Sequence, residues 1–276
     1  MRIVVTGASG FLGSALIRKL AEEKVEIVGV TRKPGTPYYQ VSDYSEAPDG
    51  DVLVHLAEDS NRTQTNATGP AGEKAMQETI NKLLQKGYSK TVYASTAVLY
   101  GDSHLTARQV GDTLKVVDSY TRIKFASESA VLSAGGVSAR IANLYGPRMA
   151  KDNVLNRILS QVPGVGDVVV QDSSPVRDFI WVDDAAAALT ILITGPVRGL
   201  LNIGSGIGVS ILKVARTALE WANQGERAIT SSHPSSRVSH LVLDITETTK
   251  RTAWKPTTTI HQGIGNLLGI QSTLRI

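Results

Sequence analysis

The chain has 276 residues, of which 42% are hydrophobic and 20% charged, enough for a full core in one large domain or two intimate ones. It contains no cysteine, which excludes disulfides, thiolate metal sites and a cysteine nucleophile. The net charge of +4 is spread without a cluster of Lys and Arg, so it argues against a nucleic-acid partner and suits mild attraction of an anionic small molecule.

In chain order, "RIVVTG" reads as a short buried strand, and Leu12, Ala15, Leu16 and Leu20 then recur at helical spacing. "EIVGV" and "DVLVHLA" (51–57) are further strands. A helix is expected over 72–86, where Met76, Ile80, Leu83 and Leu84 share a side. "KTVYAST" (90–96) is again a strand, 119–134 a helix, and "VSARIANLYG" (137–146) a strand leading into a turn. Such alternation predicts an α/β fold, a parallel sheet covered by helices on both faces.

After Pro147 the segments shorten and gain Gly, Ser and Pro, which predicts a smaller C-terminal lobe. The expected division is 1–147, with 178–196 packing back on it, against a lobe made of 148–177 and 197–276. The longest apolar run, Ala185–Ile193, is far short of the roughly 20 residues a membrane span needs. "MRIVVTGASG" breaks into glycine at once, which reads as no signal peptide, so a cytoplasmic protein is expected.

Three glycines, Gly7, Gly10 and Gly13, separate the first strand from the first helix. One permits a tight turn, the next lets backbone approach a pyrophosphate, and the last lets helix and sheet pack closely, with the helix N-terminus facing the phosphates. A glycine-rich structural turn is the alternative; the spacing and position favour a dinucleotide.

"YTRIK" sets Tyr120 and Lys124 four apart, on one face of a helix. A free phenol titrates near 10, too high for proton exchange at neutral pH, and a neighbouring ammonium or oxidised nicotinamide favours phenolate. Alone, such a pair is common on solvated helices. Downstream of the glycine turn and of "AST" at a strand end, it reads as a proton-transfer pair.

With these motifs in place, the chain resembles the extended short-chain dehydrogenase/reductases, in their nucleotide-sugar epimerase/dehydratase/reductase branch. The resemblance rests on "TGASGFLG" (6–13), "VHLA" (54–57), "YASTAVLYG" (93–101), "YTRIK" (120–124), "RIANLYGP" (140–147), "RDFIWVDDAAAA" (177–188), "LNIGSG" (201–206) and "WKP" (254–256), in family order over nearly the whole length. It implies a Rossmann-type doubly wound sheet with a smaller substrate-binding lobe. It also implies a nucleotide-diphosphate sugar as substrate, no nucleic-acid or membrane partner, and a homodimer built through the helix that carries Tyr120.

Carried onto this chain, the pattern makes Tyr120 the proton donor or acceptor, Lys124 the residue holding the nicotinamide ribose, and Thr96 the assisting hydroxyl, with Ser95 beside it. The implied cofactor set is Gly7, Ser9, Gly10, Phe11, Leu12, Gly13, Thr31, Arg32, Leu56, Ala57, Tyr120 and Lys124. Asn143 and Arg177 match substrate-contacting positions, since a guanidinium fork suits a diphosphate. For Arg177 an ion pair with Asp178 or Asp183 is the alternative. Asp183 and Asp184 read as helix caps. Arg237 is the one cation of the Ser/Pro-rich loop "SSHPSSRVSH" (231–240), expected to be a substrate loop, or else a flexible linker. His55 reads as structural, and His104, His233, His240 and His261 lack metal-ligand spacing, so no metal is expected.

Family dehydratases carry an Asp-Glu pair after the catalytic Thr; here Ala97 and Val98 follow Thr96, which argues against 4,6-dehydration. Between reduction and epimerisation, the end of the second strand decides. NAD-using relatives place an acidic residue there for the ribose hydroxyls, whereas this chain has Thr31, Arg32 and Lys33. Thr31 could donate to a 2′-phosphate and Arg32 pair with it, so NADP(H) is expected, with NAD(H) open if the basic pair is only a solvated corner. The expectation is an NADPH-dependent reductase of a nucleotide-linked 4-keto sugar, with a 4-epimerase holding NAD as the runner-up.

Overall fold

Strands buried on both faces need helices on both sides of the sheet, and the apolar runs of the first half are buried in this way. The computed structural model describes residues 1–269. β1 (Arg2–Thr6) leads through α1 (Phe11–Leu20) to β2 (Glu26–Thr31) and a two-residue β3 (Tyr39–Gln40). β4 (Val52–His55) is followed by α2 (Arg62–Leu84), β5 (Lys90–Thr96) by α3 (Ser119–Ser133), and β6 (Val137–Ile141) by β7 (Asn143–Tyr145). Then come α4 (Val154–Leu159), β8 (Val168–Val170), β9 (Val176–Trp181), α5 (Val182–Thr194) and β10 (Gly199–Ile203). The chain continues through β11 (Gly208–Ser210), α6 (Ile211–Trp221), β12 (Ile229–Ser231), β13 (His240–Leu241), α7 (Thr246–Thr252) and α8 (Ile260–Leu267).

Seven strands form one parallel sheet in the order β10-β6-β5-β4-β1-β2-β3. The winding reverses at β1, so a crevice opens between the carboxyl ends of β1 and β4, the usual ligand position in such sheets. The fold is the expected α/β Rossmann type. Its main core gathers Ile3, Val5, Leu16, Val54, Val92 and Leu189, among others.

A second core around Leu155, Ile158, Phe179, Trp181, Leu219 and Ile264 joins α4, α6 and α8 to β8 and β9. The boundary differs from the expected one. Gly199–Ile203 pairs in register with Val137–Ile141, so this part of 197–276 belongs to the large sheet rather than to the smaller lobe. A short strand between Gly-rich turns gives no strand signal of its own, and its neighbour in the sheet is 62 residues away in sequence.

Helix α2 also begins earlier than the apolar period, at Arg62. Its first turns are Thr, Gln and Asn, and Gly69 at φ 54° marks a kink before Pro70, after which the periodic part starts. Among the described residues, no helix is long and apolar enough to cross a membrane.

Candidate active site

The glycine turn is shaped by close approach. Gly7, at φ +75°, lies under β4: a Cβ there would meet the Leu56 carbonyl oxygen at 2.9 Å. A Cβ on Gly13 would come within 2.1 Å of the Gly7 carbonyl oxygen, so only glycine lets α1 start this close to the turn. Gly10 donates its N–H to Gly7 O at 2.9 Å and caps α1 without a side chain. This leaves the exposed Gly10 backbone and the first N–H groups of α1 beside the crevice, with Leu56 and Ala57 on its other side, a cradle that fits a dinucleotide pyrophosphate. Phe11 and Leu12 are half-buried and pack into the core behind the turn.

At the end of β2 the expectation for Thr31 needs correction. Its side chain is buried, and its hydroxyl already bridges Ser9 Oγ at 2.7 Å and the Lys33 N–H at 3.0 Å. Thr31 therefore ties the glycine turn to the β2 corner instead of presenting a free donor. Being the last residue of β2, it points inward, a direction set by strand register. Arg32 and Lys33 are exposed, and the Arg32 guanidinium lies 5.0 Å from the Tyr44 ring centre.

Strand β5 ends at Thr96, whose Oγ1 accepts the Val98 N–H at 3.2 Å. Ser95 is buried and its Oγ has no hydrogen-bond partner. On α3, Tyr120 and Lys124 are each 7% exposed. The helix start is fixed by Asp118, which caps it and binds Arg62 through an ion pair of 2.6 Å, while Asn66 holds the Tyr120 N–H at 2.9 Å. Lys124 Nζ donates to the Ala94 carbonyl at 3.2 Å and lies 3.1 Å from Glu58 Oε2. Burial works against this ammonium, yet the Glu58 carboxylate outweighs it and holds the lysine above its ordinary value. Glu58 did not emerge from the sequence. The only sign of it there is an acidic pair, Glu58–Asp59, that follows the largely apolar run Val52–Ala57.

On the other side of the crevice, Asn143, Arg177 and Arg237 line two adjoining cavities of about 500 Å³ and 510 Å³. Both arginines converge on Asp102, a residue the sequence had not singled out: Arg237 binds it through two contacts of 2.8 Å and Arg177 through one of 3.3 Å. Ser239 Oγ donates to the same carboxylate at 2.6 Å and receives Arg177 at 2.7 Å. Hydrogen bonds from Arg237, then Ser239, hold Asp102 well below the usual carboxylate range. Arg177 thus pairs with neither of the expected partners. Asp178 turns inward to accept the Ser205 and Gly206 N–H groups, and Asp183 binds Arg18 at 2.9 Å and the Trp181 indole at 3.1 Å. Asp183 and Asp184 lie in the first turn of α5 but do not cap it, for Asp184 accepts from Thr257 and Thr258 across the molecule.

His55 is buried and neutral, its ring 2.8 Å from the Thr6 hydroxyl, and burial lowers it to about 4. His233 lines the first cavity with Gln171 and Asp172.

A family model described as the NAD dependent epimerase/dehydratase family matches residues 3–204. Among curated proteins, the dTDP-4-dehydro-6-deoxyglucose reductase of Escherichia coli is 24% identical over 96% of each chain. YtcB of Bacillus subtilis, described as an uncharacterized UDP-glucose epimerase, is 22% identical over 99% of each. Among solved structures, the UDP-glucose 4-epimerase of Thermus thermophilus in complex with NAD superposes with a TM-score of 0.79 at 20% identity, over 96% of each chain.

Proposed function

The chain belongs to the NAD dependent epimerase/dehydratase family, and within it we propose an NADPH-dependent reductase of a nucleotide-linked 4-keto sugar. The observation that carries this reading is the basic corner after β2, where Arg32 and Lys33 stand exposed beside the glycine turn. A carboxylate in that position would repel a 2′-phosphate; a guanidinium attracts it and can donate two parallel hydrogen bonds. Exchange of NADP(H) with the reducing pool suits an enzyme that draws electrons from outside, whereas an epimerase returns its own hydride. The Escherichia coli reductase among the relatives lends support.

When bound, the reduced nicotinamide would supply a hydride to C4 of the sugar. Tyr120 transfers its hydroxyl proton to the ketone oxygen, and Thr96, at the end of β5, steadies that oxygen through its own hydroxyl. Lys124 stabilises the phenolate left behind until solvent reprotonates it. Arg177 and Arg237, with Asn143, take the diphosphate of the substrate. Helices α2 and α3 pack together, and Phe125 on α3 is 41% exposed, which supports a homodimer through this pair.

The test is turnover of dTDP-, UDP-, GDP- and CDP-linked 4-keto sugars with NADPH and with NADH. Preference for NADPH in at least one pairing is expected, abolished in Tyr120→Phe. Equal efficiency or preference for NADH overturns the cofactor reading. NAD that co-purifies with the chain, together with inversion at C4 without net cofactor use, identifies the 4-epimerase instead.

A further inference from the structure

Glu58 is a carboxylate inside the protein, on the loop that follows β4, with its side chain 3% exposed. Oε2 lies 3.1 Å from Lys124 Nζ and also accepts the Tyr93 hydroxyl. Oε1 is buried without any hydrogen-bond partner. An ionised carboxylate in such a place is costly unless a charge answers it. Lys124 is that charge, and its own contacts are few: Glu58, the Ala94 carbonyl and the face of the Tyr93 ring, 5.2 Å from Nζ. Each ion of the pair is thus the main reason the other stays charged.

We propose that Glu58 is a positioning residue for proton transfer: as the buried counter-ion of Lys124 it fixes the lysine in place and keeps it charged beside the Tyr120 hydroxyl. This rests on the reading of Tyr120 and Lys124 as the proton-transfer pair and deepens it. A lone ammonium beside a phenol favours phenolate, the form that accepts a proton. A buried lysine deprived of its carboxylate would shed its proton, and with it the charge that stabilises the phenolate left behind in reduction.

The other titratable groups around the pair do not cancel this effect. His55 on β4 is neutral above about pH 4, because burial lowers it. Tyr93 on β5 is held protonated, first by burial and then by Glu58. Asp59, the neighbour of Glu58, adds a weaker negative charge that acts on Lys124 in the same sense. Glu58 itself is drawn down chiefly by Lys124, against burial, which would raise it.

The test reads the titration of the full chain directly, by NMR of lysine labelled with ¹³C at Cε, the Lys124 signal being identified by its loss in Lys124→Met. In the unaltered chain Lys124 should remain charged beyond the ordinary lysine value, and titration below that value overturns the proposal. In Glu58→Gln, where burial acts on the lysine without its counter-ion, Lys124 should lose its proton at a lower pH than in the unaltered chain. Glu58→Asp, which keeps the charge, should restore most of the original titration. Identical titration of Lys124 in the unaltered chain and in Glu58→Gln overturns the proposal. Neither measurement uses cofactor or sugar, so failure of the reductase reading and failure of this one are separate results.

Discussion

Arg237 meets Asp102 with both terminal nitrogens, each 2.8 Å from a different carboxylate oxygen, across 135 residues of sequence. A guanidinium forks onto a diphosphate in the same way, so Asp102 occupies the hydrogen-bonding edge that a substrate phosphate would take. The two arginines exceed the one carboxylate between them by a single positive charge.

Replacing Asp102 with Asn should therefore raise the affinity for a free nucleoside diphosphate several-fold, roughly 1 kcal/mol or less for groups this exposed. The gain should shrink as salt is added, because exposed charges are screened. Isothermal titration at low and at high ionic strength measures both effects. Arg237→Ala should act in the opposite direction and raise the KM for the nucleotide sugar.

Arg32→Glu tests the cofactor end of the crevice. The new carboxylate would oppose a 2′-phosphate and suit ribose hydroxyls, so NADPH efficiency should fall about tenfold or more while NADH efficiency holds or rises. Steady-state kinetics with both cofactors gives the ratio. Thr31→Val should loosen the glycine turn instead, by removing the bonds to Ser9 and to the Lys33 N–H, and should weaken both cofactors alike.

Gly13→Ala places a methyl group 2.1 Å from the Gly7 carbonyl oxygen, a backbone atom with little room to yield. Overpacking of this kind costs about 1–3 kcal/mol. Thermal melting should drop, and dinucleotide binding, followed by fluorescence of the reduced nicotinamide, should be lost at cofactor concentrations that saturate the unaltered chain.

His55 sets a pH window for stability. The folded chain binds its proton only near pH 4, while the unfolded chain binds one near 6.5. Above 6.5 both states are neutral and His55 contributes nothing to the pH dependence. As the pH falls from 6.5 to 4 the unfolded state alone gains a proton, and stability should fall by about 3 kcal/mol. Asp102 and Asp118, held below the ordinary carboxylate value, add their loss at lower pH. Urea unfolding across this range should show the decline, and His55→Gln should flatten the part above pH 4.

Much of the scaffold was legible in the residues because it depends on near neighbours. The buried runs "RIVVT" and "DVLVHL" state a covered parallel sheet, and Gly7, Gly10 and Gly13 state a turn that only glycine can make. Tyr120 and Lys124 share a helix face because the helical repeat puts them there, whatever lies opposite. Strand β10 escaped notice because five residues carry no period of their own, and only pairing with β6 makes them a strand.

The sequence by itself determined the fold class, the glycine turn and the placement of Tyr120 and Lys124 on one helix face, all of them consequences of backbone geometry over a few residues. The tertiary structure alone decided where the charges go. It turned Thr31 inward, set Glu58 against Lys124, and brought Asp102 between Arg177 and Arg237. The reason is physical: a side chain's environment is made by residues distant in sequence, and an ion pair exists only when the fold brings its two ends together. At the end of β2 the fold thus leaves Arg32 and Lys33 exposed, while Thr31 holds the turn.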